Sequence, residues 1–265
     1  MTSHKIVDEC NIQSIDFFEG AEKRLSITSD SNFRSIDKTI WVEILKKTGC
    51  TVIDIIENDH FQFYLLSESS FIIGSNFMMI KTCGSTRPLT ILDNMSDVSL
   101  KSMLYSHYDF MKPELQPEPY QSIQNEEQFL KTILDKNCEF NKLNKWFYFK
   151  AGSFDATHNM YELVCKNFVW ISHKPIIEII NHFFHNYQLS EKCFEPCGYS
   201  LNLLCDRIYI TIHVTPQESC SYLSVETNFE DSLNLFKKMI DHLNTTDFEI
   251  HSSKQNDIHC ISSIS

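Results

Sequence analysis

Glycine is scarce in this chain, 6 of 265 residues, and no loop of the GxGxxG or GxxxxGK type occurs, which excludes the glycine-rich phosphate cradles of nucleotide-binding folds. Positive charge is also in short supply. Lys and Arg total 23 against 35 Asp and Glu, a formal net charge of -12. That average field repels a phosphate backbone, so nucleic acid is not an expected partner, whereas cationic small molecules are weakly favoured. No apolar run approaches the roughly 18 residues of a spanning helix. The opening MTSHKIVDECNIQ lacks the basic region and apolar core of a signal peptide. No membrane partner is expected, and the expected compartment is cytoplasmic. The 10 cysteines are then reduced thiols, each read first as a small buried hydrophobe.

What is present is an ordinary globular composition, 42% hydrophobic and 22% charged. Residues 38–48, KTIWVEILKKT, put Ile40, Trp41, Ile44 and Leu45 at helical spacing before Gly49, which predicts a short helix. TVIDII and FQFYLLSES predict a hairpin, and SFIIGSNFMMIKTCGS two further strands turning at Gly74-Ser75-Asn76. A second helix is expected after Pro88. The Pro-rich MKPELQPEPY reads as a surface connection that marks an internal boundary, and NEEQFLKTILDK as the helix after it. KWFYFK restarts strand structure, and KPIIEIINHFFHNY has helical periodicity. RIYITIHVT and CSYLSVETN read as paired strands. EDSLNLFKKMIDHL predicts a helix with Leu233, Phe236, Met239 and Ile240 on one side. Each half therefore reads helix, antiparallel strands, helix. This predicts an α+β fold of antiparallel sheets covered by helices, compatible with a duplicated unit.

Residues 64–73, YLLSESSFII, set Glu68 and its flanking serines where a buried strand would hold apolar residues. In the Glu68–Ser69 bond, the serine hydroxyl stands ready to attack the preceding carbonyl in an N-to-O acyl shift. That step demands backbone strain, carbonyl polarisation and nearby groups that move protons. Read alone, SESS is a solvated turn or strand edge. Cys83 in MIKTCGSTRP falls at a strand end before a glycine, the ordinary place of a buried structural thiol. CFEPCGYSLN brings together Phe194, Cys197, Gly198 and Ser200. Its two cysteines lack a matching Cys or His pair, and HFFH at 182–185 reads as one helix turn, so no metal is expected. In YITIHVTPQ, His213 points opposite Ile212 and Val214, toward a polar face or a pocket. FFEGAEKRL sets Phe17 and Phe18 beside Glu19 and Glu22.

The order of these segments carries more than any one of them. FFEGAEKRL, YLLSESS, KTCGST, FEPCGYS, TIHVTP and SYLSVETN, spanning about Phe17 to Asn228, closely resemble the eukaryotic S-adenosylmethionine decarboxylases. The resemblance implies a four-layer αββα sandwich, two facing antiparallel sheets with helices outside, as a single domain over residues 1–265. It also implies self-cleavage into a β chain, 1–68, and an α chain, 69–265, whose N-terminal Ser69 becomes a pyruvoyl group.

The same resemblance distributes roles. Ser69 supplies the pyruvoyl carbonyl that forms a Schiff base with S-adenosylmethionine, with neither pyridoxal phosphate nor metal. His213 is implied as the base in processing, Ser200 as support for the oxyoxazolidine stage, and Cys83 as proton donor in decarboxylation. Phe18 and Phe194 are implied to stack on adenine, Glu68 to hold the ribose, and Glu22 and Ser70 to support the centre. The product would feed spermidine and spermine synthesis.

Three departures stand out. Gln217 occupies the place of a family glutamate that helps bind ribose, so weaker substrate binding is expected. DATHNMYELV keeps Glu162 but has His158 and Met160 at partner positions of the putrescine cluster, while Arg24 resembles the plant pattern of a fixed cation. Little putrescine stimulation is therefore expected. Only HSSKQNDIHCISSIS follows the last strand-like segment, so a final edge strand or helix is expected to be missing, leaving a homodimer of αβ units open. The alternative function is a non-catalytic regulatory paralogue that activates a partner decarboxylase.

Overall fold

The computed structural model describes residues 22–95, 98–134, 138–152, 159–195, 197–217, 221–254 and 257–263. The first sheet contains β1 (Lys23–Ser29), β2 (Val52–Glu57), β3 (Gln62–Leu66), β4 (Ser69–Ile73), β5 (Phe77–Thr82), β6 (Leu100–Tyr108), β7 (Cys138–Leu143) and β8 (Trp146–Gly152). Their order across the sheet is β2-β3-β4-β5-β1-β6-β8-β7. The second contains β9 (Met160–Lys166), β10 (Gln188–Cys193), β11 (Tyr199–Cys205), β12 (Ile208–Thr215), β13 (Tyr222–Thr227), β14 (Phe248–Lys254) and β15 (Asp257–Ser263), in the order β10-β11-β12-β13-β9-β14-β15. Neighbours pair antiparallel throughout.

Helix α1 (Lys38–Lys47) follows β1 as α3 (Lys174–Phe183) follows β9. In each half a four-strand meander then returns beside the half's first strand, with β6 or β14 on that strand's other side. The duplication expected from sequence is therefore present in the topology. Helices α2 (Ile123–Ile133) and α4 (Ser232–Leu243) complete the set.

Strand alternation separates the layers. Leu25, Ile27, Phe71, Ile73, Met78 and Ile80 pack in one apolar cluster with Trp41, Ile44 and Leu45 of α1. Leu201, Ile210, Ile212, Leu223 and Val225 pack with α3 and α4. The opposite strand faces meet between the sheets, where Phe63, Ile72, Met79 and Leu204 form one small apolar cluster and Leu104, Trp146 and Val164 another. Polar and charged side chains are also buried on these inner faces. Helix α1 starts where Asp37 accepts a 2.8 Å bond from the Thr39 N–H and ends at Gly49, φ +90°. Losing that cap would cost about 1 kcal/mol.

Four expectations are corrected. The segment after Pro88 is a 3-10 turn, Pro88–Asn94. The Pro-rich stretch does not divide the halves, because β7 and β8 return to the first sheet and the chain changes sheets after Gly152. In α4 the buried stripe is Leu235, Phe236, Met239 and Leu243, while Leu233 is 57% exposed. The polar segment near residue 250 forms strand β14, hairpinned to β15. Phe248 and Ile250 there face the helical layer, while Glu249 and His251 point between the sheets. Its polar residues disguised a strand that has one charged face.

Candidate active site

Ser67 and Glu68 form the turn between β3 and β4, and Leu66 pairs with Ser69. Ser69 has φ +136°, whereas the other described non-glycine residues of positive φ are Asn or Asp near +50°. A β-region serine forced there stores about 1–3 kcal/mol of strain. Neighbouring Ser70 faces the second sheet, so regular alternation would aim Ser69 toward the helical layer. The unusual backbone re-aims it, and its Oγ donates a 2.5 Å bond to Glu22 Oε1. The Glu68 carbonyl just before it accepts the Cys83 backbone N–H at 3.2 Å.

Glu22 lies just before β1, buried between the sheets. Its Oε2 accepts from Tyr222 OH at 3.2 Å and from Ser224 Oγ, and Lys81 Nζ is 3.6 Å away. Burial pushes its carboxyl upward, but the Lys81 ammonium and the surrounding hydroxyls outweigh this and hold it below the usual carboxylate range. An ionised acceptor therefore faces the Ser69 hydroxyl.

A second polar group comes from β4, β11 and β12. Ser70 Oγ donates to Asn202 Oδ1 at 2.5 Å and lies 3.1 Å from His213 Nε2. Thr211 Oγ1 is 2.7 Å from the same nitrogen, and Ser200 Oγ is 2.9 Å from His213 Nδ1. The Ser200–His213 cross-strand pair fixes that last contact. Burial, with help from Lys81 and against the pull of Glu22, lowers the His213 pKa to about 4. The imidazole is neutral near pH 7, available as a base.

Cys83 follows β5, with its Sγ 3.6 Å from Glu68 Oε2. Burial, then the Glu68 and Glu22 carboxylates, push the thiol well above its usual range. The group is held as a protonated thiol rather than a thiolate.

Lys81 anchors the centre of the cluster, 2.5 Å from Glu162 and 3.7 Å from Glu226. Arg24 grips Glu226 with two bonds of 2.9 and 3.0 Å. Sequence reasoning missed Lys81, Glu226, Asn202, Thr211, Tyr222 and Ser224. The available signal was parity: each lies on a strand's inner face beside a polar site residue, within an otherwise apolar run.

The structure brings Glu22, Glu68, Ser69, Ser70, Cys83, Ser200 and His213 together around the β3–β4 turn. Phe194 and Gln217 lie in the loops flanking β11 and β12, at the sheet end that carries Ser200 and His213. Phe194 is held there by its N–H to the Gly198 carbonyl, 3.0 Å, and Gly198 has φ +134°. Glu162 joins the charged cluster, and Met160 begins β9. Phe17, Phe18, Glu19, Gly20 and His158 lie outside the described residues. Among the described residues no group of His, Cys, Asp and Glu is arranged to hold a metal.

Fold and site together define an αββα sandwich with a buried intersheet network built around a strained hairpin serine. The sequence matches the adenosylmethionine decarboxylase family model over residues 15–165 and 147–262. The chain belongs to that family. It is 31% identical over 259 residues to the S-adenosylmethionine decarboxylase proenzyme of Dictyostelium discoideum, covering 80% of this chain and 68% of the relative. Proenzyme 1 of Arabidopsis thaliana is 32% identical over 252 residues, with 79% and 69% covered. The crystal structure of the Trypanosoma brucei AdoMetDC-delta26 monomer superposes with a TM-score of 0.51 at 17% identity, covering 76% of this chain and 79% of that one, a likeness of fold.

Proposed function

We propose that this chain is a self-processing, pyruvoyl-dependent S-adenosylmethionine decarboxylase, releasing carbon dioxide and decarboxylated S-adenosylmethionine for spermidine and spermine synthesis. One observation carries the reading: strained Ser69 offers its hydroxyl to ionised Glu22 while the Cys83 N–H holds the Glu68 carbonyl. Attack by Ser69 Oγ on that carbonyl carbon forms a C–O bond and breaks the C–N bond. In this reading Glu22 takes the hydroxyl proton and returns it to the departing Ser69 nitrogen, while the Cys83 N–H supports the negative charge on the carbonyl oxygen. The strain at Ser69 is relieved as the amide becomes an ester.

Removing the Ser69 Cα proton then expels the Glu68 carboxylate, and hydrolysis of the remaining imine releases ammonia and leaves the pyruvoyl ketone. We assign that proton to His213, whose neutral ring sits 3.1 Å from Ser70 Oγ on the adjacent residue, with Ser200 and Thr211 orienting it. The cleaved protein would comprise a β chain, 1–68, and an α chain, 69–265.

The residues fit the group they would generate, since Ser69 is buried beside a proton acceptor and a protonated thiol. The pyruvoyl carbonyl supplies the electrophile that takes the substrate amine and accepts electrons as carbon dioxide leaves. Cys83 holds the proton delivered to the substrate carbon. Glu68 accepts from the ribose hydroxyls, Gln217 contributes a neutral contact, and Phe18 and Phe194 flank the adenine.

The regulatory alternative is not favoured, because Ser69, Cys83, Ser200 and His213 are all retained. Among the described residues no helix is long and apolar enough to cross a membrane. Release of labelled carbon dioxide from carboxyl-labelled S-adenosylmethionine, abolished by Ser69→Ala, is the expected result. No release from the wild-type protein would overturn the reading.

A further inference from the structure

Lys23 occupies an odd position. On β1 it alternates with Leu25 and Ile27, on the face turned to the helical layer, and it is only 2% exposed. Burying an ammonium costs several kcal/mol unless it is well bonded. Its Nζ donates 2.5 Å to the Gly84 carbonyl and 2.8 Å to Gln116 Oε1, and lies 5.0 Å from the Tyr120 ring centroid. Gln116 Nε2 donates to the same Gly84 carbonyl at 3.2 Å.

Gly84 follows Cys83, the proposed proton donor, and its φ of +61° turns the chain sharply there. The Cys83 N–H is tied to the Glu68 carbonyl, the Cys83 carbonyl accepts from Thr86 Oγ1 at 2.7 Å, and Lys23 and Gln116 take the next carbonyl. Three successive backbone groups around the thiol are clamped.

We propose that Lys23, acting with Gln116 through the Gly84 carbonyl, is a positioning residue that fixes where the Cys83 thiol delivers its proton. The inference rests on the decarboxylase reading above. The Lys23 charge also opposes the upward push that burial and the Glu68 and Glu22 carboxylates exert on that thiol, easing proton release. If the thiol is displaced, the electron pair left by carbon dioxide takes its proton at the cofactor carbon instead. Hydrolysis then releases the substrate as an aldehyde, and its nitrogen stays on the α chain as an N-terminal alanine. That event ends turnover.

The test compares wild type, Lys23→Met and Gln116→Leu, each checked for cleavage before assay. Lys23→Met is expected to cleave, to lose about tenfold or more in kcat with KM nearly unchanged, and to accumulate N-terminal alanine measurably by mass. Gln116→Leu is expected to shift both readouts the same way by a smaller factor. Iodoacetamide labelling of Cys83, followed against pH without substrate, should move to higher pH in Lys23→Met. Cleaved variants with wild-type kcat, labelling profile and alanine yield would overturn the proposal. If Lys23→Met fails to fold, Gln116→Leu decides by the same criteria. A wild-type protein that neither cleaves nor releases carbon dioxide overturns the decarboxylase reading and this inference with it, whereas an active wild type with unaffected variants overturns this inference alone.

Discussion

The Ser69 hydroxyl donates to the buried Glu22 carboxylate at 2.5 Å, joining the turn between β3 and β4 to the start of the central strand β1. Lys81 and Ser224 keep that carboxylate ionised. The isosteric Glu22→Gln keeps the shape and removes the proton acceptor. Cleavage of the precursor is expected to slow by about a hundredfold, read as the half-life of the uncleaved chain on a denaturing gel. A wild-type half-life would remove Glu22 from the proton path.

His213 gives a pH dependence of defined sign. Its pKa is about 4 in the folded chain against roughly 6.5 unfolded, so between those values the unfolded state binds the extra proton. The stability it contributes is present above pH 6.5 and is lost as pH falls to 4, amounting to about 3 kcal/mol. The depressed Glu22 and Glu226 act in the same direction, their contributions being lost on acidification below the ordinary carboxylate range. Urea unfolding at pH 7 and pH 5 should show a lower midpoint at pH 5, and His213→Asn should narrow the difference. An unchanged difference would contradict the assignment of a neutral buried imidazole.

Arg24 and Glu226 form a bidentate pair with almost no solvent contact. The cluster thereby already holds a second fixed cation beside Lys81. Added putrescine is expected to leave both cleavage and turnover essentially unchanged, and a several-fold increase would sink the idea that Arg24 takes the diamine's place. Arg24→Met removes the bidentate partner of Glu226 and leaves it the more distant Lys81, at 3.7 Å, so it should cost up to about 3 kcal/mol in urea unfolding.

Gln217 tests the ribose contact. Restoring the negative charge with Gln217→Glu should lower KM for S-adenosylmethionine severalfold, by a charge-assisted hydrogen bond, with kcat little changed. Equal KM values would argue that residue 217 does not touch the ribose.

Much of this was legible in the chain because alternation and motif order are local signals. Although FQFYLLSES reads as one strand through Ser69 and hides the turn at Ser67 and Glu68, His213 opposite Ile212 and Val214 and Cys83 at a strand end could be placed by counting. The strain at Ser69 could not, since no residue type announces a positive φ at serine. Nor could the pairing of Lys81 with Glu162, which depends on how two sheets face one another. The Pro-rich stretch read as surface because of its prolines, yet Gln116 and Tyr120 turn inward and reach the loop after Cys83. In β14 the charged residues hid a strand because their partners, Trp146 and Tyr148, come from the facing sheet.

The central claim is that the chain cuts itself between Glu68 and Ser69. Intact mass of the purified protein under denaturing and reducing conditions tests it most directly. Two chains, 1–68 and 69–265, with the larger beginning in a pyruvoyl group, is the predicted result. A single stable chain of 31.0 kDa would contradict it.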